Sequence, residues 1–367
     1  MACLNYLITT DDPENSTNTN TNMALSQNQN ADGMDPWYCS CYNPQENTTQ
    51  TIDPNKNNGK PEPPVPNIDT GESIPLVVPE SFKKPEQALV DKINNNLNDG
   101  RVLIVAASNY GMRDHVYNWI ESLKRTNEGD KFLMFCLDQQ MYDHMVAAGY
   151  EKNAATIPES WFHDEVEAGF EEYYSKKYRI ITHAKTLIVQ QLLYLDVTVL
   201  FSDVDIVWLR PRMREFIHTF LQIRGQTHVA YQQEGTDQRV VNSGFYMMKP
   251  TDITKRLLAE TIYLGDTNTD YTQQGAMNAA LDHVDMNLRS THVVLLDVLH
   301  FPNGYVFFDN QWPQKHGVEP YMVHANYLVG NDKKSKLQDY GYWYLDDKWL
   351  ESIDAKIGLK EEQEQEK

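Results

Sequence analysis

The segment Thr198 to Leu209 constrains this chain more than any other. An apolar, β-branched run ends at Ser202, two carboxylates follow one residue apart at Asp203 and Asp205, and a second apolar run resumes at Ile206. In an extended chain, residues i and i+2 share a side. The spacing therefore predicts that both carboxylates project together from the end of a buried strand. Adjacent carboxylates beside an apolar core repel, and each is costly unless a cation or a proton offsets it. A divalent metal resolves both problems, because hard cations take oxygen ligands.

Two enzyme classes place Asp-x-Asp in this way. Nucleotide-sugar glycosyltransferases hold a metal against the donor diphosphate, and haloacid-dehalogenase-like phosphatases use the first Asp as nucleophile. A strand end with two solvated aspartates is the ordinary alternative, and the flanking apolar runs weigh against it.

The length of 367 residues accommodates one large α/β domain with additional segments. The 32 basic and 52 acidic residues give a net charge of −20, which excludes a phosphate-backbone binder and so argues against nucleic acid as a partner. Cys3, Cys39, Cys41 and Cys136 lack zinc-type spacing. Cys136 lies in an apolar run and reads as a small buried hydrophobe. No segment approaches the ~20 apolar residues of a membrane span. The first ten residues lack the basic and apolar regions of a signal peptide, so the sequence alone predicts a soluble, untargeted chain.

Residues 1–84 are rich in Asn, Thr and Pro and read as a disordered tail, with sequons at Asn15 and Asn47 that such a tract yields by chance. Residues 85–355 read as one domain and 356–367 as a charged tail. Within the domain, Arg101 to Ala107 and Lys131 to Leu137 read as buried strands, Val116 to Leu123 and Ile180 to Leu195 as helices, and the strand ending at Asp203 follows. Strand and helix alternating at this spacing imply an α/β class with a mostly parallel sheet and crossover helices. Ligands bind beyond the carboxyl ends of such strands, where Asn109, Asp138 and the acidic pair fall. No Gly-rich phosphate loop is present.

Several blocks occur in a telling order. They are Val102 to Gly111 with Asn118-Trp119, Lys185 ahead of Leu200 to Pro211, Asn242-Ser243-Gly244 to Thr251, and Gln273-Gln274-Gly275 to Asn278. Phe301 to Gly304 and His324 to Tyr327 come last, with Gly330 and Lys333 behind. In this order the chain resembles the nucleotide-diphospho-sugar transferases of glycosyltransferase family 77, which include plant cell-wall xylosyl- and arabinosyltransferases. The resemblance implies a GT-A-type, Rossmann-like fold, a divalent cation (Mn2+, or Mg2+), a nucleotide-sugar donor of the UDP-sugar kind, a glycan or glycoprotein acceptor, and retention at the anomeric carbon. It implies Asp203, Asp205 and His324 as metal ligands, with Asp203 also near the ribose. Asn109, Lys185, Asn242, Gly330 and Lys333 would meet the donor, and Gln273 and Gln274 would occupy the catalytic positions. It further implies the Golgi lumen, although no anchor is visible and the cytoplasm is the alternative.

Each residue has a plainer reading: a hydrogen-bonded loop histidine for His324, a solvated charge run for Lys333 to Lys336, a helix-end lysine for Lys185, a strand-end turn for Asn109, and a turn into a strand for Asn242 to Gly244. One departure stands out. The family usually carries Asp-Gln where this chain has Gln273-Gln274, so an acidic partner for the sugar is missing at 273, and Asp270 is the nearest candidate in sequence. Two rivals remain. In the phosphatase reading, Gly265 to Asp270 would be the later acidic motif; in the other, the fold is an inactive sugar-nucleotide-binding module.

Overall fold

Continuous apolar strands are buried on both faces, and that is what the central sheet requires. Every residue of β1 (Val102–Ser108), β2 (Leu133–Cys136) and β4 (Thr198–Ser202) is buried. The computed structural model describes residues 78–79, 82–161, 176–268, 270–286 and 290–365. Almost all of the segment read as a disordered tail, including both sequons, lies outside the described residues.

The remaining strands are β3 (Ala154–Thr156), β5 (Ile206–Trp208), β6 (Val229–Gln233), β7 (Val241–Met248), β8 (Val293–Leu295) and β9 (Met322–His324). Seven of the nine form one sheet in the order β3-β2-β1-β4-β7-β6-β8. Only β7 runs antiparallel to its neighbours β4 and β6; the other pairings are parallel. This is the mostly parallel, Rossmann-like GT-A-type architecture expected from the sequence.

Strand periodicity divides the core in two. Leu103, Val105, Val199 and Phe201 face one layer, packed with Ile188, Leu192, Leu257 and Ala280 from helices Lys176–Tyr194, Asp252–Thr267 and Gln273–His283. Val102, Ile104, Ala106 and Leu200 face the other, packed with Val116, Trp119, Ile120, Ile217 and Leu221 from helices Arg113–Arg125 and Met213–Ile223. Each such Leu, Ile or Phe contributes about 1.5–3 kcal/mol by leaving water. Cys136 is buried among them, and burial pushes its thiol up to about 12.

The strand order reverses direction between β1 and β4, the place where open α/β sheets bind ligands. Their shared register, Val102 opposite Thr198 through Val105 opposite Phe201, brings both carboxyl ends to one edge. Beyond that edge, β5 and β9 form a separate antiparallel pair with Ile206 opposite His324.

Two local readings change. Asn242, Ser243 and Gly244 are not a turn before a strand; they are buried inside β7, because the chain reverses earlier, at 234–240. The segment 356–365, read as tail, continues the helix Asp347–Gln365. That helix is tied to the domain through Asp354, which meets His144 and Arg113. Among the described residues no helix is long and apolar enough to cross a membrane.

Candidate active site

Asp203 and Asp205 sit where β4 ends and β5 begins. The backbone N–H of Asp203 donates to the Gly244 carbonyl at 2.7 Å, and that of Ala325 donates to the Asp205 carbonyl at 2.9 Å. The acidic turn is thus fixed to β7 on one side and to the end of β9 on the other. These two tethers bring His324 to the carboxylates, and its Nε2 lies 3.2 Å from Asp205 Oδ1. Ligand atoms of Asp203, Asp205 and His324 all lie within 4.8 Å of one another.

A buried glutamine that no motif flagged sets the protonation pattern of the imidazole. Gln232, fully buried in β6, donates its amide to the Phe301 carbonyl at 3.2 Å. Its Oε1 therefore faces His324 Nδ1, at 2.8 Å. Nδ1–H therefore donates to Gln232, and Nε2 is the ring nitrogen turned toward Asp205.

Gly244 completes the space. A Cβ there would lie 2.6 Å from Asp203 Oδ2 and 2.7 Å from His324 Cε1. Only a residue without a side chain leaves room for the three ligands and an ion. Two carboxylates, an imidazole nitrogen fixed by a second residue and a cradle that a Cβ would fill suit a divalent cation.

Two lysines counter the acidic charge. Lys185 Nζ lies 2.5 Å from Asp203 Oδ1, and Lys333 Nζ lies 2.5 Å from Asp205 Oδ2. Burial opposes ionisation of Asp205, yet the Lys333 ammonium and the His324 ring hold it well below the usual carboxylate range. Lys334, equally basic in sequence, instead meets Asp347 and lies over Trp343. Both lysines lie on helix Asn331–Asp339, which Gly330 precedes with a φ of +55°, and successive helical residues point about 100° apart, so only one of the two can face Asp205.

Asn109 lies partly buried at the carboxyl end of β1, where it precedes the turn Tyr110–Met112. Asp138 is a structural cap: its two oxygens accept from the backbone of Met141 and Tyr110. Asn242 is buried, with its amide engaged by Glu234 and by the Gly244 N–H. Gln273 is buried as well; it accepts from Ser243 Oγ at 2.6 Å and donates to Thr186 Oγ1 at 3.0 Å. Gln274 reaches the cleft side, accepting from the Ser243 N–H and donating to Glu234 at 3.2 Å. Asp270 is exposed and does not reach this network.

His115 also borders the site. It is buried against Trp343; burial lowers its proton affinity, while Asp205 and Lys333 act on it in opposite directions. Nothing in the sequence singled it out, since on its helix it reads as one more core-facing position.

A sequence profile of the family described as nucleotide-diphospho-sugar transferases matches residues 127–339. The chain is 25% identical over 306 residues to a UDP-galactose:fucoside alpha-3-galactosyltransferase of Dictyostelium discoideum, covering 72% of this chain and 46% of that protein. It is 28% identical over 283 residues to a UDP-D-xylose:L-fucose alpha-1,3-D-xylosyltransferase of Arabidopsis thaliana, covering 71% and 74%. The chain thus spans under half of the Dictyostelium relative and about three quarters of the Arabidopsis one. Among solved structures, the glycosyltransferase GlyE of Streptococcus pneumoniae aligns with a TM-score of 0.44 at 15% identity, over 71% of this chain and 64% of that one.

Proposed function

Because this chain belongs to the nucleotide-diphospho-sugar transferase family, we propose that it moves a sugar from a UDP-sugar to a fucose-bearing glycan or glycoprotein. Both relatives described above are named for a UDP-sugar donor and a fucose or fucoside acceptor, and they differ in the sugar transferred. The nucleotide and the acceptor sugar are therefore the better supported parts of the reading. The observation that carries it is the convergence of Asp203, Asp205 and His324 on one point.

Those three residues would hold the cation, and mixed carboxylate and imidazole ligation favours manganese over magnesium. Once bound, such an ion supplies Lewis-acid stabilisation of the diphosphate leaving group. The chain's own residues do the rest. Lys185 and Lys333, anchored to the same carboxylates, add fixed positive charge where negative charge develops. Gln232 keeps the imidazole in its ligating form. Gln274 fixes the strand that carries Ser243 against the cleft. The sugar passes through an oxocarbenium-like state, and the family resemblance favours retention of configuration.

The phosphatase alternative has little support. Gly265 and Asp266 lie in helix Asp252–Thr267, and among the described residues only Asp203, Asp205 and His324 form a metal-binding group. Purified protein with UDP-galactose or UDP-xylose, a methyl fucoside and manganese tests the proposal, with UDP release and product linkage as readouts. Phosphate release from phosphomonoesters without UDP release would overturn it. The resemblance favours action in the Golgi lumen, which fractionation of tagged protein tests.

A further inference from the structure

Glu234, just past β6, carries no sequence signal, yet three side chains from separate parts of the chain converge on it. Its Oε2 accepts from the Asn242 amide on β7 and from Gln274 Nε2 at 3.2 Å. Its Oε1 accepts from the hydroxyl of Tyr327, beyond β9. Asn242 Oδ1 in turn accepts from the Gly244 N–H at 2.8 Å, and Gly244 lies against Asp203 and His324. One amide therefore links Glu234 to the candidate metal centre.

The backbone around this carboxylate is tightly held. Buried Asn303 donates to the carbonyls of Gln233 and Gly235. Tyr327 has a φ of +64°, a costly conformation for a non-glycine residue. Gly304 has no room for a side chain, since a Cβ would lie 2.1 Å from the Asn326 carbonyl oxygen.

Rigid as it is, the cluster is open to solvent. Glu234 is only partly buried, and the rings of Tyr305 and Tyr327, 5.9 Å apart, are 40% and 53% exposed. A carboxylate offers about four acceptor positions, and the three side chains leave one. A fixed carboxylate, amides, a phenol and open aromatic faces together suit a sugar, whose hydroxyls need acceptors and whose C–H face packs on rings.

We propose that Glu234, with Tyr327, Gln274 and Asn242, forms a sugar-hydroxyl site beside the transfer centre. It supplies the carboxylate that the resemblance located at 273, where the buried Gln273 amide is bound to Ser243 and Thr186 instead. The inference rests on the transferase reading above. The hydroxyl belongs either to the donor sugar or to the acceptor fucoside, which share this chemistry.

Glu234→Gln and Tyr327→Phe test it, with three readouts: manganese–UDP affinity by calorimetry, UDP-sugar hydrolysis without acceptor, and transfer to methyl fucoside. Glu234→Gln should keep manganese–UDP affinity within about twofold and lose about 100-fold in transfer. Tyr327→Phe should show a smaller loss in the same readout. A parallel fall in hydrolysis assigns the hydroxyl to the donor; unchanged hydrolysis with a raised KM for the fucoside assigns it to the acceptor. Transfer within about threefold of wild type in both variants would overturn the inference. So would loss of manganese–UDP binding together with a lowered Tm in Glu234→Gln, which marks a clasp of the fold. Wild-type protein that releases no UDP from either donor fails the transferase reading, and the inference falls with it.

Discussion

Ile206 and His324 are paired across the two-stranded sheet of β5 and β9, and this single pairing places the His324 ring 3.2 Å from Asp205. The candidate metal site is assembled by a strand contact outside the main sheet. Its geometry depends on residues that never touch an ion, and several expected outcomes follow from that dependence.

Asp205→Asn removes a ligand charge and leaves the Lys333 ammonium without its carboxylate. Manganese-dependent UDP binding should fall at least about 100-fold. Calorimetry that gives the same affinity with and without the substitution contradicts the assignment.

Gln232→Leu keeps the volume of the side chain but removes the acceptor that holds the proton on His324 Nδ1. Manganese affinity should drop about 10–100-fold while circular dichroism stays native. An unaltered manganese titration would show that the amide plays no part in orienting the ring.

Gly244→Ala forces a methyl group to within 2.6 Å of Asp203 Oδ2 and 2.7 Å of His324 Cε1. Overpacking of this kind costs about 1–3 kcal/mol, and UDP release should fall sharply. A variant with wild-type Tm and turnover would mean that the cradle has slack.

Ser202 receives the indole N–H of Trp119 at 3.0 Å and that of Trp208 at 3.4 Å, and it donates to the Asp203 carbonyl at 3.1 Å. Ser202→Ala leaves buried indole donors unpaired, which costs about 1–3 kcal/mol. Chemical denaturation measures the loss, and an equally stable variant would refute this account.

The pH dependence of stability has a definite sign. His144 is fully buried between Tyr117 and Asp354. Burial lowers its proton affinity below the ordinary 6.5, outweighing the opposing pull of Asp354, and nearby Arg113 acts in the same direction as burial. The fold prefers the neutral ring, so its stability is complete above the unfolded value and is lost as pH falls below it. His115 acts in the same direction. The Asp354 carboxyl, lowered from 3.8, enters only at more acidic pH. Thermal melts should show Tm falling from about pH 6.5 to about pH 5; a flat profile over that window counts against the argument.

The sequence by itself determined the parallel strands β1, β2 and β4 of the central sheet and its acidic edge. Val102 to Ala107 and Val199 to Phe201 are apolar runs, a pattern that suits a strand covered on both faces, and Asp203 and Asp205 follow from the two-residue period of a strand. His324, Lys185 and Lys333 were legible only as members of ordered blocks, since a lone histidine or lysine carries no signal of what it faces. The tertiary structure alone decided that Lys333 pairs with Asp205, that Gln232 fixes the imidazole, and that Glu234 rather than Asp270 meets Gln274. Those choices are made by strand pairing, by the rotation of helix Asn331–Asp339 and by packing between segments far apart in the chain. The physical reason is that a strand's pattern is written in neighbouring residues, whereas a hydrogen bond between β6 and the segment after β9 depends on where the whole fold brings the backbone.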